Sequence, residues 1–272
     1  MSNAAKKART CEAALWTIAQ RCMSEVMRSA RGAAKGNAGS LHDMRIALTR
    51  LQTAIRFFEP AIDHRRWGAL RREAAWLAGR SGPARDMDVA LRHGNPPDPG
   101  AMEQWQRERS RQYERLRRAL ASGRFKKLAT MLTQLPKPAT NDDRSPSFDA
   151  FSTRRLEQWR SKLADKGRSV DCLSARKRHK LRLRAKRLKY ALEWSPALIR
   201  RADGKELQRQ AKRAQDVLGR LNDVSMHKAR ARSLGIAPLP FHRRQVKTQR
   251  RLLRSAKDAL KSLRRLRLKV QR

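Results

Sequence analysis

The sequence predicts an all-α protein made of two similar helical halves, and three observations carry that prediction. A basic helix with a His at its start occurs twice. Apolar residues recur at three- and four-residue spacing along most of the chain. No stretch alternates convincingly enough to read as a strand. The two copies are Leu41-His-Asp-Met-Arg-Ile-Ala-Leu-Thr-Arg-Leu51 and Arg178-His-Lys-Leu-Arg-Leu-Arg-Ala-Lys-Arg-Leu-Lys189. At one constant offset His42 falls on His179, Arg45 on Arg182, Arg50 on Arg187, Leu51 on Leu188 and Ala54 on Ala191. At nearly the same offset Gly219-Arg-Leu-Asn-Asp-Val224 echoes Ala84-Arg-Asp-Met-Asp-Val89.

The elements follow in order. Cys11, Leu15, Ile18, Cys22 and Val26 define a first helix over about Lys6 to Arg31, and a Gly-rich loop follows it. Ser40 with Asp43 resembles a capping box opening the second helix, which Pro60 ends. A third helix runs from Ile62 to Ala78; Gly79-Arg-Ser-Gly-Pro83 is expected to break it before a short helix through Val89. After the loop His93–Gly100, a long charged helix from Met102 reaches Gly123, and Phe125, Leu128, Leu132 and Leu135 form another amphipathic segment.

Pro136–Ser147, rich in Pro and short polar residues, reads as the linker between halves, dividing residues 5–137 from 138–272. The second half opens with a helix over Phe148–Asp165. The basic helix is expected over Asp171–Trp194, and an Asp203/Glu206 capping box starts one that ends near Leu218. Leu234–Pro240 is a loop, and Leu252, Ala256, Ala259, Leu263, Leu266 and Val270 mark the last helix at 4-3 alternation, a stripe suited to oligomerisation.

Composition narrows the function. The 272 residues hold 66 Lys and Arg against 24 Asp and Glu, a net charge of +42, so an anionic partner is the natural expectation. With 39% apolar residues in helical stripes, this is a folded polycation rather than a disordered basic tail. The longest run without a charged residue, Ser233–His242, is too short to span a membrane, and no signal peptide is evident, which places the protein in the cytoplasm by default. Cys11 and Cys22 fall on the first helix's apolar stripe and read as buried thiols, not as a disulfide or metal site. Asp86, Asp88 and Asp223 read as helix caps or partners of Arg, since no further ligand sits at metal-binding spacing.

On the repeated helix, Met44, Leu48, Leu51, Ile55 and Phe58 collect in one sector, and His42, Arg45, Thr49, Gln52 and Arg56 in another roughly 120° away. The second copy places Leu181, Ala185, Leu188 and Leu192 on its core side and Leu183, Tyr190 and Trp194 on a second apolar patch; His179, Arg182, Lys186 and Lys189 line up between them. Apolar flanks on both sides imply packing on both, so the basic stripe is expected to open into a groove or channel that holds an anion. Arg supplies bidentate donors for phosphate oxygens, Lys a point charge and His a further donor. Arg50 and Arg187 project from another side, beside the second patch.

These residues resemble the CHAD (conserved histidine α-helical) domain family. The resemblance rests on Leu41–Leu51, more strongly on His179–Glu193, and on Arg85-Asp-Met-Asp-Val89 and Leu218–Asp223 as accompanying motifs. It implies two helical bundles related by a pseudo-twofold axis, and binding of inorganic polyphosphate along a basic central surface, with recruitment to polyphosphate granules. His42, Arg45, Arg50, His179, Arg182, Lys186, Arg187 and Lys189 match the family's His and basic positions. Thr49 and Gln52 stand where Arg or Lys is usual, which implies a weaker first half. The triphosphatase domain often fused to this family would bring a Glu-x-Glu-x-Lys motif, absent from this sequence.

The expected function is therefore non-catalytic binding of polyphosphate, with no cofactor, metal or membrane partner implied. The alternative is sequence-nonspecific RNA binding through charge; only 5% of residues are aromatic, which disfavours a base-stacking platform. An enzyme acting on phosphate compounds would be expected to show a phosphate-cradling Gly-rich loop, a His-Glu-x-x-His or a carboxylate cluster, and the sequence offers none.

Overall fold

A computed structural model describes residues 10–62, 64–93, 99–135, 137–138, 147–233 and 241–268. Among them the regular elements are helical, and a lone β-bridge joins Thr10 to Ser147. The chain divides into two compact units, Met1–Phe148 and Asp149–Arg272.

The first unit contains α1 (Cys11–Ala34), α2 (Ala38–Phe58), α3 (His64–His93), α4 (Pro99–Ala121) and α5 (Gly123–Met131). Helix α1 packs on α2, α2 on α3, α3 on α4, and α4 back on α1, closing a four-helix arrangement that α5 abuts at α3 and α4. Leu15, Ile18, Cys22 and Val26 of α1 meet Leu41, Met44, Leu48 and Leu51 of α2 in the core, all buried. Each fully buried Leu contributes about 1.5–3 kcal/mol relative to exposure.

The α1–α2 turn is set by Gly36, at φ 86°, a left-handed conformation that costs an L-residue with a side chain about 1–2 kcal/mol. Gly36 N–H donates to Ala33 O and Asn37 N–H to Gly32 O, which satisfies the last carbonyls of α1. Asn37 then caps α2, its Oδ1 accepting from Ser40 N–H at 2.8 Å. The cap is thus three residues earlier than the expected Ser40, which lies inside the first turn of α2.

Helix α3 runs unbroken through Gly79, Gly82 and Pro83, where the sequence predicted a break. Tertiary packing overrides the breakers. Leu77, Ser81, Ala84 and Asp88 keep one buried face at helical spacing, and Arg45 of α2 donates Nη1 to Ala78 O (2.7 Å) and Ser81 Oγ (2.9 Å). Asp88 accepts from Arg109 Nε (2.8 Å) and Tyr113 Oη (2.7 Å), while Arg109 Nη2 donates to Gly36 O (2.7 Å). This network ties α3, α4 and the α1–α2 turn together, as the reading of Asp88 as a partner of Arg required. Burial, with Asp88 beside it, holds the Tyr113 phenol well above its usual pKa.

The second unit holds α6 (Phe148–Lys166), whose first residue belongs to the first unit, then α7 (Ala175–Glu193), α8 (Pro196–Arg200), α9 (Ala202–Ser233) and α10 (Phe241–Arg265). Helices α7, α8 and α10 all pack on α9. Ser174 caps α7, so the helix starts four residues later than expected, and Asp171 instead accepts from Lys257 Nζ at 3.2 Å. Helix α9 continues past Leu218, because Val217, Leu218 and Leu221 extend its buried face across Gly219. Asp203 lies in the first turn of α9 and accepts from Gly204 N–H and Arg201, so no capping box forms with Glu206, which pairs with Arg209. Gly204 is required here: a Cβ would come within 1.9 Å of Leu198 O.

Leu252, Ala256, Ala259 and Leu263, four of the six residues of the stripe read as suited to oligomerisation, are buried in the unit's own core; Leu266 is half-buried and Val270 lies outside the described residues. The buried Arg160 of α6 pairs with Glu157 and donates Nη1 to Leu263 O, satisfying a carbonyl in the last turn of α10. Of the expected loop His93–Gly100, His93 ends α3, Pro99 and Gly100 open α4, and 94–98 lie outside the described residues, as do the expected loop 234–240, most of the linker, and the ends 1–9 and 269–272.

Candidate polyanion-binding surface

Helix α7 carries the densest of the sequence-predicted rows. Its starting Ser174 accepts from Lys177 N–H (3.3 Å), and no acid interrupts the helix until Glu193 at its end. Leu181, Ala185, Leu188 and Leu192 are buried on one flank, and Tyr190 and Trp194 are buried on the other, with Leu183 half-buried. Between the flanks lie His179, exposed, and Arg182, Lys186 and Lys189, each half-buried. That intermediate burial is how long cationic side chains pack their stems while keeping the charged head wet. Lys186 Nζ lies 5.7 Å from the Tyr190 ring centroid, at cation–π range. Arg187 is half-buried.

His179 is held from α9. Its Nδ1 lies 2.7 Å from Asn222 Oδ1, and because a carbonyl oxygen accepts, Nδ1 carries the proton and donates. Nε2 is then the ring nitrogen turned to other partners. Asn222 belongs to the Gly219–Val224 echo, a motif the sequence singled out without giving Asn222 a role. Its signal was its place in that motif.

Helix α2 presents its row differently. His42 and Arg56 are exposed and Arg50 is half-buried. Arg45 is half-buried and engaged with α3 through Ala78 O and Ser81 Oγ. Burial lowers the pKa of its guanidinium, which Asp86 opposes. Gln52 Nε2 donates to Ala74 O (3.3 Å), and Thr49 Oγ1 donates back to Arg45 O (2.7 Å). Arg45 and Gln52 in the middle of this stripe therefore latch α2 onto α3, while Thr49 bonds back within α2.

Each row is brought together on its own helix: His42, Arg45 and Arg56 on α2, and His179, Arg182, Lys186 and Lys189 on α7. Their Arg and Lys side chains offer a line of N–H donors and positive charge suited to an extended anion. Among the described residues, no group of three or more His, Cys, Asp or Glu is arranged to hold a metal ion. No helix among them is long and apolar enough to cross a membrane.

The fold is shared with solved structures. The chain is similar in structure to the crystal structure of the CHAD domain from the plant Ricinus communis, at 22% identity and TM-score 0.72, covering 96% of this chain and 94% of that one. It is also similar to PptA from Streptomyces chartreusis, at 17% identity and TM-score 0.65, covering 94% of this chain and 99% of that one. Curated proteins give no match to the sequence. The family model described as CHAD domain matches residues 17–232, a span that contains both His-led helices, the α2–α3 latch and Asn222. The all-helical fold, the duplicated basic helix and this match together establish that the chain belongs to the CHAD domain family.

Proposed function

We propose that the protein binds inorganic polyphosphate without transforming it, through the α7 row led by His179 and through the cations of α2, and that this binding recruits it to polyphosphate granules. One observation carries the reading: α7 holds Arg182, Lys186 and Lys189 in an acid-free line between two buried flanks, with His179 oriented by Asn222. A linear chain of phosphates is complementary to such a line. Binding releases condensed counterions, so affinity falls steeply with salt, by extension of the rule for nucleic acids. The row contributes donors and charge rather than a nucleophile, and the ligand leaves unaltered.

The test is titration of long-chain polyphosphate into wild type and Arg182→Ala/Lys186→Ala. We expect at least about a tenfold weakening, or ~1.4 kcal/mol, with an unchanged melting temperature and no phosphate released. Unchanged affinity in the folded variant would sink the assignment of these residues; phosphate release by wild type would sink the non-catalytic reading.

A further inference from the structure

Helix α10 carries a second row of cations, on a different helix from the α7 row. Leu252, Ala256, Ala259, Leu260 and Leu263 turn one side of α10 into the core. At about 100° per residue, Arg250, Arg254, Lys257, Lys261 and Arg264 gather in one sector on the opposite side. All five are exposed. At 1.5 Å rise per residue they form a row about 21 Å long. Among the described residues the row meets one acid on its own helix, Asp258, and of its five cations Lys257 is the one in an ion pair, with Asp171 at 3.2 Å.

Helix α4 shows what an ordinary solvated face looks like in this chain. There Arg107, Arg111 and Arg117 each sit beside an acid of the same helix: Glu103, Glu108 and Glu114. Like charges one turn apart repel and weaken a helix. Helix α4 avoids this with interleaved carboxylates, and α10 does not, so the α10 face is complementary to an external anion. Two features narrow its identity. No aromatic side chain lies between residues 246 and 268 to stack a base. The apolar side of α10 is buried in the core and is not offered to a membrane. A bare phosphate chain fits both. The row also lies beyond residue 232, where the family match ends.

We propose that the outer face of α10 is a second track for polyphosphate, so that one molecule holds phosphate chain at two surfaces and bridges chains. This rests on the polyphosphate reading of α7. Two surfaces on one molecule raise avidity for long chains over short ones.

Lysine footprinting on wild type tests it directly. Amine acylation is compared with and without long-chain polyphosphate, reading Lys186 on α7 and Lys261 on α10. We expect both to be protected. Protection of Lys186 alone overturns the second track and leaves the α7 reading standing; protection of neither overturns both. Protection of Lys261 by an RNA oligomer but not by polyphosphate overturns the choice of ligand. As a second measurement, R250Q/R254Q/K261Q/R264Q keeps Lys257 and its ion pair. We expect this variant to melt no lower than wild type in low salt. Its slope of log affinity against log salt should be shallower by about 3–4, at roughly 0.9 per lost phosphate contact, and it should lose the light scattering that long chains induce. An unchanged slope with unchanged scattering would show the row to be solvated surface.

Discussion

At the scale of single residues, the chemistry turns on how His179 is held. The ring is exposed, and the Asn222 Oδ1 acceptor at 2.7 Å selects one tautomer and one orientation. Replacing Asn222 with Ala removes that acceptor. Affinity for polyphosphate is then expected to fall about fivefold, the equivalent of one hydrogen bond of roughly 1 kcal/mol. Nitrogen-15 imidazole spectra should show the Nδ1–H tautomer losing its preference, and Asn222→Asp, which keeps an acceptor, should restore it. An Ala variant with the wild-type tautomer and affinity would remove Asn222 from the site. The His and its basic neighbours were legible because they recur in register with a second copy. The Asn222 contact was not, because it joins side chains on two helices whose mutual register the sequence does not encode locally. The thiols were simpler to read: Cys11 and Cys22 lie on a periodic apolar stripe, and burial pushes both up to about 12, far from thiolate reactivity at neutral pH.

Among elements, the largest departure from the sequence reading is α3. Gly79, Gly82 and Pro83 are helix breakers by intrinsic preference, yet Arg45 and the buried face from Leu77 to Asp88 hold the helix through them. A stripe residue expected to face a ligand is thus also a latch, which no reading of one helix alone reveals. Both expected capping boxes failed for a local reason: Asn37 follows the left-handed Gly36 and reaches Ser40 N–H first, and Asp203 pairs with Arg201. Packing of α5 on α3 gives a pH-dependent test. Glu73 accepts from Arg124 Nε (2.6 Å) and Nη2 (3.2 Å), and that hydrogen bonding holds its carboxyl below the ordinary 4.5. A depressed folded-state pKa contributes stability above the unfolded value, lost as pH falls through the folded one. Thermal melts should therefore show wild type exceeding Glu73→Gln at neutral pH, with the gap closing only below about pH 4.5. Parallel curves down through that range would mean that the pair contributes nothing.

Across the whole molecule, a net charge of +42 opposes compaction, and each unit offsets that repulsion with a buried helical core. Ion pairs absorb part of the charge, as along α4, while the rows on α7 and α10 are left with few or no acids of their own helix. On the proposed function these rows match the geometry of a phosphate chain and do more than add charge. The measurement that tests it most directly is a competition titration at fixed, near-physiological salt. Labelled long-chain polyphosphate is bound, then challenged with RNA, DNA and short phosphates at equal phosphate concentration. If the rows read chain geometry, only long polyphosphate competes well. Equal competition by every polyanion would contradict it, leaving net charge as the whole explanation of binding.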